Sequence, residues 1–285
     1  MRYNDQQGIL EKLKMKSQHL RLMTLDMCKN AGTGHVTSSF SCAETLAVLY
    51  HGNIVRFDPK NPTWEDRDRF ILSKGQASPI LYVTLADLGF FPKEWLDTFG
   101  KKDGKFGVHL QNTVPGVEVS TGSLGHGLGI GAGIALAAKL DKKDYITFVL
   151  LGDGECYEGS IWESALFAAH NNLNNLIVIV DRNGQCATAF TENAVRLNPL
   201  DEKWKSFGWD VKTIDGHSVE DFLDALEGFR SRKRDHPYVI IAETIKGKGS
   251  PLIESKVHWH ARAPTHEEAQ IIQRDIGVIE DGENH

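Results

Sequence analysis

No apolar stretch in the 285-residue sequence approaches the roughly 20 residues needed to cross a bilayer as a helix. The longest runs are Ile146 to Leu151, interrupted only by Thr147, and Leu176 to Val180. A membrane partner is therefore not expected, and the chain is expected to be soluble. Cysteine is scarce: Cys28, Cys42, Cys156 and Cys186 form no C-x-x-C pair and no zinc spacing, so they read as reduced thiols rather than a disulfide framework. Positive charge is in the minority, with 32 Lys plus Arg against 38 Asp plus Glu and a formal charge of −6. Proteins that grip nucleic acid usually present a net basic face. The densest basic run here, Arg230 to Arg234, is broken by Ser231 and followed by Asp235, so no nucleic-acid partner is expected. The N-terminus lacks a basic region leading into an apolar core, which gives no secretory signal and points to a cytoplasmic protein.

What is present is an ordinary globular composition, 41% hydrophobic and 25% charged. Neither repeats nor a strong linker appear, so a single domain over 1–285 is expected, with an acidic tail at 280–285 that frays. From Gln7 to Cys28, Ile9, Leu10, Leu13, Leu20, Met23, Leu25 and Met27 recur at mostly helical intervals, which predicts an amphipathic helix. Further helices are predicted over Ala43–Tyr50 and Pro79–Leu88, with a loop from Asn53 to Asp68 and a short buried strand over Arg69–Ser73. Tyr145–Leu151 and Leu176–Val180 are continuous apolar strands of the kind buried in parallel sheets, joined by a helix over Glu158–Asn171. A right-handed crossover makes these two strands parallel and brings their carboxyl ends to one sheet edge, where Asp153 and Asn183 face each other. Strands over Trp209–Ile214 and Tyr238–Glu243 flank a helix opened by the capping pattern Ser218-x-x-Asp221. The fold class is α/β, a mostly parallel sheet flanked by helices.

Two phosphate-loop candidates fail. The glycine-rich segment Gly122 to Gly133 leads into an Ala-rich helix at Ile134–Leu140, but no G-x-G-x-x-G fits it, because the sixth place falls on Ile130 or Ala132. Tight helix packing is the plainer reading. Lys246-Gly247-Lys248-Gly249-Ser250 lacks the upstream Gly of a Walker A loop and puts Gly249 where Ser or Thr is required. Gly152-Asp153-Gly154 alone reads as a turn with Asp153 capping a helix. Followed by helix, strand and Asn183 thirty residues on, it becomes a carboxylate and a carboxamide oxygen beside a helix start, suited to a hard divalent cation holding a phosphate.

Gly-Asp-Gly with an Asn closing a hydrophobic strand about thirty residues later resembles the thiamine-diphosphate motif. The wider sequence resembles transketolase, specifically its N-terminal, diphosphate-binding half. Ordered motifs carry that resemblance: Gly34-His35, Asp66 to Gly75, Gly116 to Gly125, Asp215-Gly216-His217 and Lys246 to Pro251. It implies a thiamine-diphosphate-binding fold, with Asp153, the Asn183 side chain and the Gln185 backbone carbonyl holding Mg²⁺, Mn²⁺ or Ca²⁺. Gly152, Gly154 and Glu155 would lie beside the diphosphate; Lys246, in its basic loop, reads either as approaching that diphosphate or a substrate phosphate or as a solvated turn. Gly122, Ser123 and Leu124 would lie toward the aminopyrimidine. His35, His109 and His260 match histidines near the substrate, His260 standing between it and the cofactor. Glu158 and Glu163 match acidic residues at the contact between paired active sites, although each also reads as a solvated helix start. His51, His170, His236, His266 and His285 read as surface or structural groups.

Gln76, expected at the cofactor, stands where transketolases show His, and a carboxamide cannot become cationic or relay a proton. The sequence also lacks the family's pyrimidine-binding and C-terminal domains. The resemblance thus implies one half of a split enzyme, active in a heterotetramer of two plus two with a separate C-terminal transketolase subunit. The implied reaction is transfer of a two-carbon ketol unit from a ketose, often phosphorylated, to an aldose. Gln76 leaves open a specialised ketol or acyl transferase or a subunit for 2-oxo acids; a cofactor-free interaction subunit is the third reading.

Overall fold

The computed structural model describes residues 3–230 and 235–277. The frayed-tail expectation at 280–285 and most of the basic run at 230–234 lie outside the described residues. The apolar runs of the sequence become five strands: β1 (Arg69–Leu72), β2 (Thr147–Gly152), β3 (Leu176–Arg182), β4 (Asp210–Asp215) and β5 (Tyr238–Glu243). All pair in parallel, in the order β1-β2-β3-β5-β4. β2, β3 and β5 are buried on both faces, which is why they read as continuous hydrophobic runs. β4, at the edge, is mostly polar and exposed.

Side chains alternate between the two faces with the period of a strand. Phe148, Leu150, Ile177, Ile179 and Ile240 enter the core beneath the first helix (Tyr3–Ala31) and the helix Ser78–Asp87. Val149, Leu151, Val178, Val180, Val239 and Ile241 enter the opposite core, with residues of the helices Gly127–Leu140, Gly159–His170 and Leu200–Ser206. The architecture is the expected α/β sandwich.

Several boundaries differ from the sequence reading. The segment predicted as one helix over Ala43–Tyr50 is α-helical only to Leu46 and continues as a π-turn over Ala47–His51. The helix after the Gly-Asp-Gly turn begins at Gly159, preceded by a 3₁₀ turn over Gly154–Tyr157. Most instructive is the glycine-rich segment, which is helical from Gly127 rather than from Ile134. A Cβ on Gly127 would lie 2.4 Å from Ser73 Cβ, and one on Gly131 would lie 2.5 Å from Val149 Cγ2. These glycines let the helix backbone lie directly on the sheet, so close packing, not phosphate binding, explains them. The predicted cap is present: Ser218 Oγ accepts from the Asp221 N–H at 3.1 Å.

Candidate active site

Parallel strands with this order send the residues after β1, β2, β3 and β5 to one carboxyl edge, the usual place for a ligand in an α/β sheet. Gly152 lies in register with Asp181, so the turn after β2 meets the turn after β3. Asp153, 1% exposed, joins the two turns. Its Oδ1 accepts from Gly154 N–H at 2.8 Å, and its Oδ2 accepts from Gly184 N–H at 2.6 Å and from Arg182 Nη1 at 3.2 Å. Burial, reinforced by the nearby Asp181 charge, raises its carboxyl to about 6, only partly offset by these donors.

Asn183 Nδ2 donates to Asp181 Oδ2 at 3.0 Å. A carboxylate only accepts, which fixes the amide orientation and sends Oδ1 the other way, where it meets the Gln185 N–H at 3.1 Å. A Cβ on Gly154 would stand 3.1 Å from Cys186 Cβ and 3.2 Å from its Cα, so glycine is what lets the two turns approach. Among the described residues, no three His, Cys, Asp or Glu side chains gather around a possible metal ion. The side-chain oxygens at this edge are of mixed type: the Asp153 carboxylate and the Asn183 carboxamide. Such hard donors suit a divalent cation that shares its shell with a phosphate.

Behind the edge lies a buried charge pair that sequence reasoning missed. Lys74, following β1, donates to Asp181 near the end of β3 and to the Ser38 carbonyl at 2.8 Å. Asp181 also accepts from Ser41 Oγ at 2.7 Å and from Thr244 Oγ1. Burial opposes ionisation of both, but their mutual attraction prevails, holding the carboxyl below and the ammonium above their ordinary values. No linear spacing signals this pair, because the strands bearing it are separated in sequence and joined only through the sheet. Glu155 is a clamp: Oε1 accepts from Ser73 Oγ and from Gly125 N–H at 2.9 Å, and Oε2 accepts from Gly152 N–H at 3.1 Å. Burial raises its carboxyl.

His35 lies with its ring centroid 5.5 Å from that of His260 and 5.7 Å from that of His109. Burial, helped by neighbouring positive groups, lowers both His35 and His260 to about 4. Lys246 Nζ lies 2.8 Å from His260 Nδ1. Burial and the Lys74 charge lower that ammonium to about 8. At neutral pH, then, Lys246 donates to a neutral imidazole, whose proton resides on Nε2. With values near 4, His35 and His260 are neutral imidazoles at neutral pH, a form that can hydrogen-bond a hydroxyl.

One cleft of about 140 Å³ gathers Gln76, Leu124, Gly152, Asp153, Gly154, Glu155, Asn183, Gln185, Lys246 and His260, all expected, together with Ser38, Lys74, Cys186 and Ala187, which were not. Complete small-molecule pockets run to roughly 300–1,000 Å³, so this cleft is smaller than a full ligand pocket. Gln76 Nε2 donates weakly to the Gly122 carbonyl at 3.4 Å. Gly122 itself lies outside the cleft, against the His109 ring. Ser123, Glu158 and Glu163 are exposed and do not line the cleft.

Residues 13–282 match the family described as transketolase, thiamine diphosphate binding domain. The chain is 39% identical over 267 residues to an apulose-4-phosphate transketolase subunit of Phocaeicola vulgatus, covering 94% of each. It is 39% identical over 257 residues to the 6-deoxy-6-sulfo-D-fructose transketolase subunit SqwG of a Clostridium species, covering 90% of this chain and 92% of that one. The solved transketolase of Campylobacter jejuni superposes with a TM-score of 0.87 at 30% identity. That match spans 93% of this chain and 43% of the Campylobacter one, less than half its length. Similar in sequence and in fold over nearly all its length, the chain belongs to the transketolase family as its thiamine-diphosphate-binding domain.

Proposed function

We propose that this chain is the cofactor-binding subunit of a two-chain transketolase that moves a two-carbon ketol unit from a ketose, free or phosphorylated, to an aldose. The observation that carries this reading is the meeting of the Asp153 and Asn183 turns at the carboxyl edge, with Lys246 and the imidazoles of His35 and His260 beside them. Bound there, thiamine diphosphate supplies an electron sink for the pair released when the ketose C2–C3 bond breaks. Asp153, the Asn183 Oδ1 and the Gln185 carbonyl hold the divalent cation, Mg²⁺ or in its place Mn²⁺ or Ca²⁺. Gly152 and Gly154 admit the diphosphate, and Lys246 balances its charge. His35, His109 and His260 bind and orient the sugar hydroxyls, and the neutral His260 exchanges a proton at Nε2. Gln76 contributes an uncharged donor where a histidine would contribute a titratable one, which favours an uncommon ketose. The two relatives named for apulose-4-phosphate and 6-deoxy-6-sulfo-D-fructose support that choice.

Both relatives are named as subunits, which supports a separate partner chain. That partner is read as a C-terminal transketolase subunit, with two copies of each chain forming a heterotetramer. Glu158 and Glu163, both exposed, are assigned to that contact, and the exposed Ser123 to the aminopyrimidine end of the cofactor. Four free cysteines accord with a reducing, cytoplasmic setting. Native mass spectrometry of the tagged chain purified from its own host tests the reading. A complex carrying a second chain of different mass, thiamine diphosphate and a metal ion is the expected result. A lone, cofactor-free chain would overturn it in favour of a non-catalytic interaction subunit.

A further inference from the structure

Gln185 is 3% exposed, yet neither Oε1 nor Nε2 of its carboxamide has a hydrogen-bond partner among the described residues. Buried polar groups are nearly always paired, because an unmade bond leaves the desolvation penalty uncompensated. An apolar side chain of similar size would occupy the same volume without that penalty. The residue lies in the cleft wall, where its polar neighbours Asp153, Glu155, Lys74 and Lys246 all have partners. Its own N–H is already committed to Asn183 Oδ1, so the orphaned groups belong to the side chain alone.

Resting on the diphosphate-site reading above, we propose that the Gln185 side chain is itself a ligand contact, distinct from the role of its backbone carbonyl. Nε2 donates to a phosphate oxygen of a bound diphosphate ester, and Oε1 accepts from a water on the accompanying divalent cation. A carboxamide offers a donor and an acceptor without net charge. A diphosphate brings acceptors, and a cation that keeps part of its hydration shell brings donors, so both unsatisfied atoms find complements in one ligand. An orphaned amide in the free protein is then the local cost of a site built for its bound state, as expected where a sequence departs from its stability optimum for function.

The test uses the full chain with its partner subunit, titrated with thiamine diphosphate in saturating Mg²⁺ by calorimetry, and melted without cofactor. Gln185→Leu should weaken binding about 10- to 100-fold, the range of a hydrogen bond to a charged group, while leaving the melting temperature of the cofactor-free protein unchanged or higher. Gln185→Glu should bind more weakly still, because its charge repels phosphate. Wild-type affinity in Gln185→Leu, a lowered melting temperature in that cofactor-free variant, or tighter binding by Gln185→Glu would each overturn the assignment. If the wild-type complex does not bind thiamine diphosphate at all, the reading of the site fails and this contact fails with it. If the wild type binds and Gln185→Leu binds equally well, only the contact fails.

Discussion

Asp153 holds two turns together with one carboxylate, since its oxygens accept from Gly154 on one side and from Gly184 on the other. Asp153→Ala is expected to abolish cofactor-dependent turnover of the assembled enzyme, by at least the ~100-fold that losing a mere outer-shell metal contact costs. Turnover near the wild-type rate would remove Asp153 from the proposed cation site. This residue and Asn183 were legible in the sequence because their signal is local: an apolar strand, a turn residue, and the same again thirty positions later. Gln185 and His260 were found through family resemblance and Lys246 through its basic loop, and all three reach the cleft. Lys74 and Asp181 were not singled out. Their pairing depends on β1 and β3 lying on either side of β2, and a buried Lys or Asp carries no mark of its partner in a linear reading.

The glycines of the helix Gly127–Leu140 show why strands were read more accurately than this helix start. An unbroken run of aliphatic residues specifies a buried strand almost by itself, and all five strands lie within about a residue or two of their predicted limits. Gly is a poor helix former, so Gly127 to Gly133 looks non-helical until the sheet beneath it is known. There the missing side chains are the reason the helix fits. Gly131→Ala would place a methyl 2.5 Å from Val149 Cγ2 in the stiff centre of β2. The expected cost is about 1–3 kcal/mol of stability, read as a lower denaturant midpoint with an unchanged slope. Gly133→Ala in the same helix meets nothing within 4 Å and should be neutral or stabilising. Equal stabilisation of both variants would show that helix propensity, not contact with the sheet, governs the element.

Across the whole molecule, a chain of charged and polar contacts runs from the first helix toward the loop bearing Lys246. Arg21 donates to both Glu44 oxygens at 2.6 Å. Glu44 Oε2 lies 3.1 Å from His217 Nδ1, and His217 Nε2 accepts from Ile245 N–H at 2.8 Å. Because Nε2 accepts, Nδ1 carries the proton and donates to Glu44. Burial opposes ionisation of Glu44, but Arg21 and His217 overcome it and hold the carboxyl at about 2, against an ordinary 4.5. A depressed carboxyl contributes stability that is fully present above the ordinary value and is lost as pH falls through the depressed one. Thermal melting temperatures should therefore decline between about pH 4.5 and 2. Arg21→Met, which leaves the buried carboxylate without its cation, should destabilise by about 3–5 kcal/mol at neutral pH and flatten that acid dependence; an unchanged acid profile would exclude Glu44 as its source. The strand order has a further consequence, for synthesis. β4 pairs only with β5, which follows it in sequence but inserts between it and β3. A nascent chain that has not yet delivered Tyr238–Glu243 therefore exposes one edge of β3 and leaves β4 with no strand to join. Thr244, Lys246 and His260 emerge after that insertion, so the cleft acquires its last wall only when the sheet has closed, and a ribosome stalled earlier holds an aggregation-prone chain unable to complete its site.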